Sequence, residues 1–259
     1  YFKNDSTTNN IRTQYQKYIT DILTMAGDEP NAAASAAKNI LALEIKLAKA
    51  SRKLEDLRDP YANYNKMAIN YLSRMNASID WANYLNVTGV KGIDSIIVGQ
   101  PEFFKALDNE LKTTPLADWK SYLKFNLISD FSGALPEKYG IAAFEFGKLF
   151  SGAKERRPRW KRVINAEEGA MGEMLGKLYV KEFFNEKTKK RYEVLVEAIR
   201  GALKTRIEKL TWMSDSTKQK AFAKLAAIKK KVGYPDKWKD FSSMEIGKES
   251  YAQNLMNAR

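Results

Sequence analysis

Glu167 and Glu168 form an adjacent carboxylate pair, the residue type that serves as general acid, general base or metal ligand. On a helix, neighbours point about 100° apart, and the side chains that meet lie three or four positions apart. The pair therefore reads as surface charge. Gly169, Gly172 and Gly176 follow it. A phosphate cradle would need such glycines in a loop before a helix. Here they lie inside a helical pattern, where each costs about 1 kcal/mol against Ala, and close helix–helix contact is the expectation. The run KERRPRWKR sets Arg156, Arg157, Arg159, Lys161 and Arg162 close together. Such a cluster could hold phosphates or an acidic partner; the competing reading is a helix start that meets carboxylates of a neighbouring domain. Trp81, Trp119, Trp160, Trp212 and Trp238 are expected as core and interface anchors rather than as a stacking platform. Asn4-Asp5-Ser6, Asn76-Ala77-Ser78 and Asn86-Val87-Thr88 match the glycosylation triplet, a pattern that also arises by chance.

The sequence of 259 residues has no His and no Cys. Without thiols there is no disulfide, no thiolate nucleophile and no finger-type zinc site. Without imidazole there is no Ser-His or Cys-His pair and no His-Glu-x-x-His helix. Carboxylate metal sites, lysine chemistry and phosphate cradles remain open, but no residue is singled out: catalytic, cofactor-binding and metal residues are all expected to be none. The net charge of +13 raises nucleic acid as a partner. The lysines are spread over nearly every predicted helix, the distribution of solvated faces, so no nucleic acid is expected. No stretch reaches the roughly 18 apolar residues of a membrane span, and no signal peptide is recognisable. The chain opens Tyr1-Phe2 without Met and closes inside a helical pattern, which reads as a segment cut from a longer polypeptide.

The elements that would position these residues are helices. With 44% apolar and 29% charged residues, and only 14 Gly and 7 Pro, the composition suits a globular helical protein. Ile11, Tyr15, Tyr18, Ile19, Ile22 and Met25 share one helical face, closed by Gly27. Pro30 opens a second helix, whose stripe Ile40, Leu43, Leu47, Ala50 and Leu54 runs until Arg58-Asp59-Pro60. The segment 61–66 reads as a turn, followed by short helices near 67–75 and 78–86. The run 93–98 (IDSIIV) is the one strand-like stretch. Pro101, Pro115 and Pro136 open three further helices. Longer patterns cover about 158–184 and 188–212. Ser214 caps another helix, ended by Gly233-Tyr234-Pro235, and a last helix begins near Glu249. The fold class is all-α: a multi-helix orthogonal or bundle-like lobe with at most one short strand-like segment.

Several blocks resemble one family. Trp212-Met213-Ser214-Asp215-Ser216-Thr217-Lys218, then Ala221, Lys224-Leu225, Ile228 and Gly233-Tyr234-Pro235, resemble a hallmark of the neprilysin and endothelin-converting-enzyme family of zinc metallopeptidases. Arg159-Trp160-Lys161-Arg162 and Leu175-Gly176-Lys177-Leu178-Tyr179-Val180 resemble a second segment. Leu43-Glu44, Leu47-Ala48, Ala50-Ser51, Arg58-Asp59-Pro60, Tyr64-Asn65-Lys66-Met67 and Val98-Gly99-Gln100-Pro101-Glu102 resemble its middle region. The blocks occur in family order across nearly the whole chain. Val163 departs from animal members, which tend to carry Cys there.

The resemblance implies that residues 1–259 are a segment of the helical, substrate-enclosing lobe of a zinc endopeptidase. That lobe would close over a chamber and restrict substrates to short peptides. The zinc, its ligands and the general-base Glu would lie in a catalytic lobe absent from this chain, the partner of this segment in the same polypeptide. No catalytic residue carries over. The implied setting is that of a bacterial homologue working outside the cytoplasm without disulfides, at the cell surface or in the periplasm. The basic run around Arg156 and Arg157 would help dock the lobes or attract acidic peptides. The alternative is a non-catalytic helical binding module for peptide or nucleic acid.

Overall fold

Prolines and short polar caps set the helix starts. In the computed structural model, which describes residues 2–258, eleven α-helices and one two-stranded sheet follow in order. α1 (Ser6–Met25) is capped by Asp5, whose side chain accepts the Thr8 N–H at 2.8 Å. Gly27 lies just past its end with φ of +100°, a conformation open to glycine. α2 (Pro30–Ala50) has proline in its first turn, where the missing N–H costs nothing. β1 (Lys66–Ala68) leads directly into α3 (Ile69–Met75), and α4 (Trp81–Val87) follows. β2 (Ser95–Ile97) pairs antiparallel with β1, Met67 opposite Ile96. α5 (Pro101–Thr113) again starts on proline. Pro115, Pro136 and Pro158 sit immediately before α6 (Leu116–Asp130), α7 (Glu137–Ser151) and α8 (Arg159–Phe183). Asn185, Ser214 and Ser250 cap α9 (Glu186–Glu208), α10 (Asp215–Ala227) and α11 (Tyr251–Asn257) through their side chains.

The all-α class holds, and the differences from the periodicity are local. The strand-like run finds a second strand in Lys66–Ala68, where a turn and a helix start were expected. α2 ends at Ala50, short of the predicted stop at Arg58-Asp59-Pro60, because Ser51 is extended and the Arg52 N–H is taken by the Gln100 side chain at 2.7 Å. A distant amide here overrides the continuing apolar stripe. α8 is broken at Met171, which has φ −133° and ψ 29°. Gly169 and Gly172 flank the break and weaken the helix on both sides.

The chain divides between Arg156 and Arg157 into two units. The first has a core built from α1, α2 and α6: Tyr18, Ile19, Ile22, Leu23, Ala33, Ala37, Ile40 and Phe125. Ala33 and Ala37 are one turn apart and buried, so the alanine-rich start of α2 is a contact face as well as a strong helix former. Phe146 of α7 stacks on Tyr18 with centroids 5.2 Å apart. The Tyr18 hydroxyl pairs with Ser129 Oγ at 2.9 Å, and the Tyr139 hydroxyl donates to the Met25 carbonyl at 2.8 Å. A second cluster gathers Leu72, Trp81 and Val98, with Phe104 edge-on to Trp81.

Asp108 of α5 ties this second cluster together. Its carboxylate accepts the Ser78 N–H at 2.8 Å and pairs with Lys112. The Lys112 and Ser78 hydrogen bonds draw its pKa from 3.8 down to about 2. The second unit is built differently: among its described residues Leu225 is the buried hydrophobic residue, and α8 and α9 bury none. α9 and α10 are joined where Arg200 donates to the Leu225 carbonyl at 3.0 Å and Lys230 meets Glu197 at 2.6 Å.

Asp108→Ala is expected to destabilise the chain by about 1.5–3 kcal/mol in urea unfolding, because a charged acceptor is removed from two donors. The depressed pKa makes this stabilisation fully present above pH of about 4 and lost as pH falls toward 2. An acid limb in that window that persists unchanged in Asp108→Asn would contradict the assignment.

Candidate functional site

Glu167 and Glu168 both lie on α8 and, as neighbours on a helix, do not converge. Among the described residues no group of three or more His, Cys, Asp or Glu could hold a metal ion. The basic run is not one patch. Arg156 pairs with Glu137 at 3.2 Å, and its guanidinium lies over Gly140, where a Cβ would strike it. Arg162 Nε donates to the Arg157 carbonyl at 3.1 Å, and Lys161 lies over the Trp160 ring. Arg156 thus serves the start of α7 and is not available to a phosphate or peptide in the way the sequence suggested.

The close helix–helix contact expected at Gly169, Gly172 and Gly176 is not found among the described residues. A Cβ at Gly176 would lie at ordinary contact distance, 3.7 Å, from the ring of Trp238, which belongs to no helix, and a Cβ at Gly169 or Gly172 would touch nothing within 4 Å. Those two glycines accompany the break in α8 instead of a close crossing. Among the tryptophans, Trp81 is buried, Trp119 and Trp238 are half-buried, and Trp160 and Trp212 stand exposed. Asn76 is fully buried with its Nδ2 donating to the Phe104 carbonyl at 2.8 Å, so that triplet is closed to a glycosylating enzyme in the folded chain. Asn4 and Asn86 are exposed.

Two polar assemblies were not visible to sequence reasoning, and both include residues from the family-like blocks. The first centres on Arg52. Its Nη1 donates to the Ala62 carbonyl at 2.8 Å and to Asn63 Oδ1 at 3.0 Å, while Nε and Nη2 fork onto the two oxygens of Glu102. Asp59 accepts the Tyr61 N–H at 2.8 Å, and Asn65 Nδ2 donates to the Ala62 carbonyl at 3.0 Å. The loop between α2 and β1 is therefore locked onto the start of α5. Hydrogen bonding to Arg52 holds the Glu102 carboxyl below its ordinary range. Separation along the chain hid this assembly: nothing near Arg52 marks Glu102 as its partner.

The second centres on Gly233-Tyr234-Pro235. Lys189 Nζ sits 4.3 Å from the Tyr234 ring centroid, donates to the Tyr234 carbonyl at 3.1 Å and pairs with Asp236 at 2.6 Å. Tyr234 stacks on Trp238 with planes 7° apart and meets Phe184 edge-on. Asp236 raises the Lys189 pKa and is itself held low by it, so the pair stays charged. Gly233 has φ of +71°, and a Cβ there would lie 2.8 Å from the Phe184 ring. Both assemblies orient loops; neither brings together a nucleophile with a base.

Gly233→Ala is expected to cost about 1–3 kcal/mol, from left-handed strain plus a clash with an aromatic ring. A thermal unfolding midpoint equal to wild type would refute it. Arg52→Lys removes the planar fork that serves Glu102, Ala62 and Asn63 together. Amide exchange across residues 56–65 should quicken while that of α1 stays unchanged.

The sequence pattern of peptidase family M13 matches residues 1–235. The chain is 28% identical over 222 residues to a neutral endopeptidase of Lactobacillus helveticus, covering 86% of this chain and 34% of that protein. It is 30% identical over 209 residues to mouse neprilysin, covering 76% and 28%. Its fold superposes on the zinc metalloprotease of Mycobacterium tuberculosis solved with an inhibitor, at a TM-score of 0.84 and 30% identity, over 98% of this chain and 41% of that one. The chain thus spans about a third of the length of the curated relatives it matches. With a match over residues 1–235, in the same all-helical frame, the chain belongs to peptidase family M13.

Proposed function

We propose that this chain is the helical part of a zinc-dependent endopeptidase, and that it encloses the chamber in which short peptides are cleaved. The reading is carried by one observation: a family match over residues 1–235 in a sequence with no His. The residues present do not fit the implied metal. The sequence has neither imidazole nor thiol, and the described carboxylates form no cluster of three. The donors of this chain do not suit a zinc site, so no catalytic step is assigned to any of its residues.

The contribution of this part would be positional. Rigid helices exclude bulky folded proteins and hold a flexible peptide near the reacting groups, which lowers the entropic cost of cleavage. Loop anchors such as Arg52–Glu102 and Lys189–Asp236 suit that task, because walls that shift would misplace the peptide. An extracytoplasmic setting is suggested by the neprilysin relatives alone, since a chain free of Cys fits either side of the cytoplasmic membrane.

The reading frame beyond Arg259 should encode His-Glu-x-x-His. The full-length product should cleave a short unstructured peptide, lose that activity to a zinc chelator and regain it on zinc addition. Residues 1–259 alone should be inactive. Cleavage of a folded protein at the rate of the free peptide would sink the enclosing role, and zinc-dependent proteolysis by residues 1–259 would sink the whole reading.

A further inference from the structure

Positive charge and uncovered apolar surface coincide in the second unit. Residues 157–259 carry 24 Lys and Arg against 13 Asp and Glu, a net +11, whereas residues 1–156 carry 20 against 18, a net +2. The excess of the chain therefore belongs almost wholly to one unit, which an even spread of lysines along the helices concealed. The same unit holds α9, whose Val194, Leu195, Ile199 and Leu203 are between 45% and 65% exposed. Lys187, Lys190, Arg191, Val194, Leu195 and Ala198 line a shallow depression of about 490 Å³ on this helix. Among the described residues Lys187, Lys190 and Arg191 have no ion-pair partner, in contrast to Lys189 and Arg200 on the same helix.

We infer that this basic and apolar face of α9 is the seat of an acidic, amphipathic segment of the same polypeptide that lies beyond residue 259. The inference rests on the reading of the chain as part of a longer peptidase. The relatives are much longer than the region they share with this chain, which covers 34% of one and 41% of another. Charge selects among occupants. A second copy of this unit would set +11 against +11, and the first unit, at +2, offers no complementary field. Aliphatic side chains at the centre disfavour nucleic acid, which is held by basic grooves with aromatic stacking. An acidic helix with its own aliphatic stripe satisfies both halves of the surface, burying the leucine and valine side chains and pairing the free cations at the rim.

The test uses the full-length polypeptide. Val194→Cys and Leu195→Cys are introduced separately, and maleimide labelling is mapped by mass spectrometry in the native protein and in urea. Native labelling should be slower by about tenfold or more, the mark of a covered position. Carbodiimide should couple Lys187 or Lys190 to an Asp or Glu beyond residue 259. Adding Lys187→Glu, Lys190→Glu and Arg191→Glu together to the Val194→Cys protein should speed its native labelling; should that combined variant not fold, labelling and coupling in the otherwise unchanged protein still decide. Labelling as fast in the native state as in urea overturns the inference. So does coupling to residues before 157 or to a second copy, or protection that arises only when anionic vesicles or RNA are added. A product that ends at residue 259 removes the inference and the reading beneath it together, whereas a longer zinc-dependent peptidase with an open α9 removes the inference alone.

Discussion

Large apolar side chains are fully withdrawn from water around Phe125 and Tyr18 and left in it along α8 and α9, and this contrast organises the molecule. Burial of such side chains is the dominant favourable term in folding, worth about 1.5–3 kcal/mol for each large aliphatic or aromatic group. α1 and α2 approach closely because Ala33 and Ala37 present little bulk to Ile19 and Ile22. Phe125 then closes the core from α6, and Phe146 stacks on Tyr18 from α7. No comparable arrangement exists among the described residues of the second unit, where Leu225 is buried and the long helices are not.

Polar ties supply order where apolar burial is thin. Arg52 holds a loop that carries exposed Leu54, Leu57, Tyr61 and Tyr64, and it does so through a fork that satisfies backbone and side-chain acceptors at once. Lys189 plays the corresponding part in the second unit, beneath Tyr234 and beside Asp236. Asp108 joins α5 to the segment before α4 in the same manner. Each tie spans residues far apart in the chain, so each restricts loops that would otherwise retain much conformational freedom. For a protein read as a wall around a peptide chamber, fixed loops matter as much as a dense core.

Charge adds a second asymmetry. A unit at net +11 repels copies of itself and tolerates an acidic neighbour, while a unit at +2 is close to neutral. The basic run at Arg156 and Arg157 straddles the boundary between units, and its members act separately: Arg156 is engaged by Glu137 and Lys161 lies over the Trp160 ring, whereas outside that run Lys187, Lys190 and Arg191 of α9 keep no ion-pair partner among the described residues. Local density of positive charge in a sequence therefore says little about which cations are available to a ligand. Availability depends on which carboxylates the fold brings near.

Much was legible from residue types and spacing alone. Period-3.6 stripes located the helices, and Pro30, Pro101, Pro115, Pro136 and Ser214 marked their starts, because fixed φ and short polar caps are local properties. The absence of imidazole and thiol ruled out His- and Cys-based chemistry without any coordinates. Tertiary structure alone decided the rest. It ended α2 at Ala50, where Gln100 captures the Arg52 N–H. It paired β1 with β2, buried Asn76, and separated Gly176, under Trp238, from Gly169 and Gly172. These outcomes hang on contacts between residues remote in the chain, whose energies no local pattern carries, and on which surfaces the fold covers or leaves open.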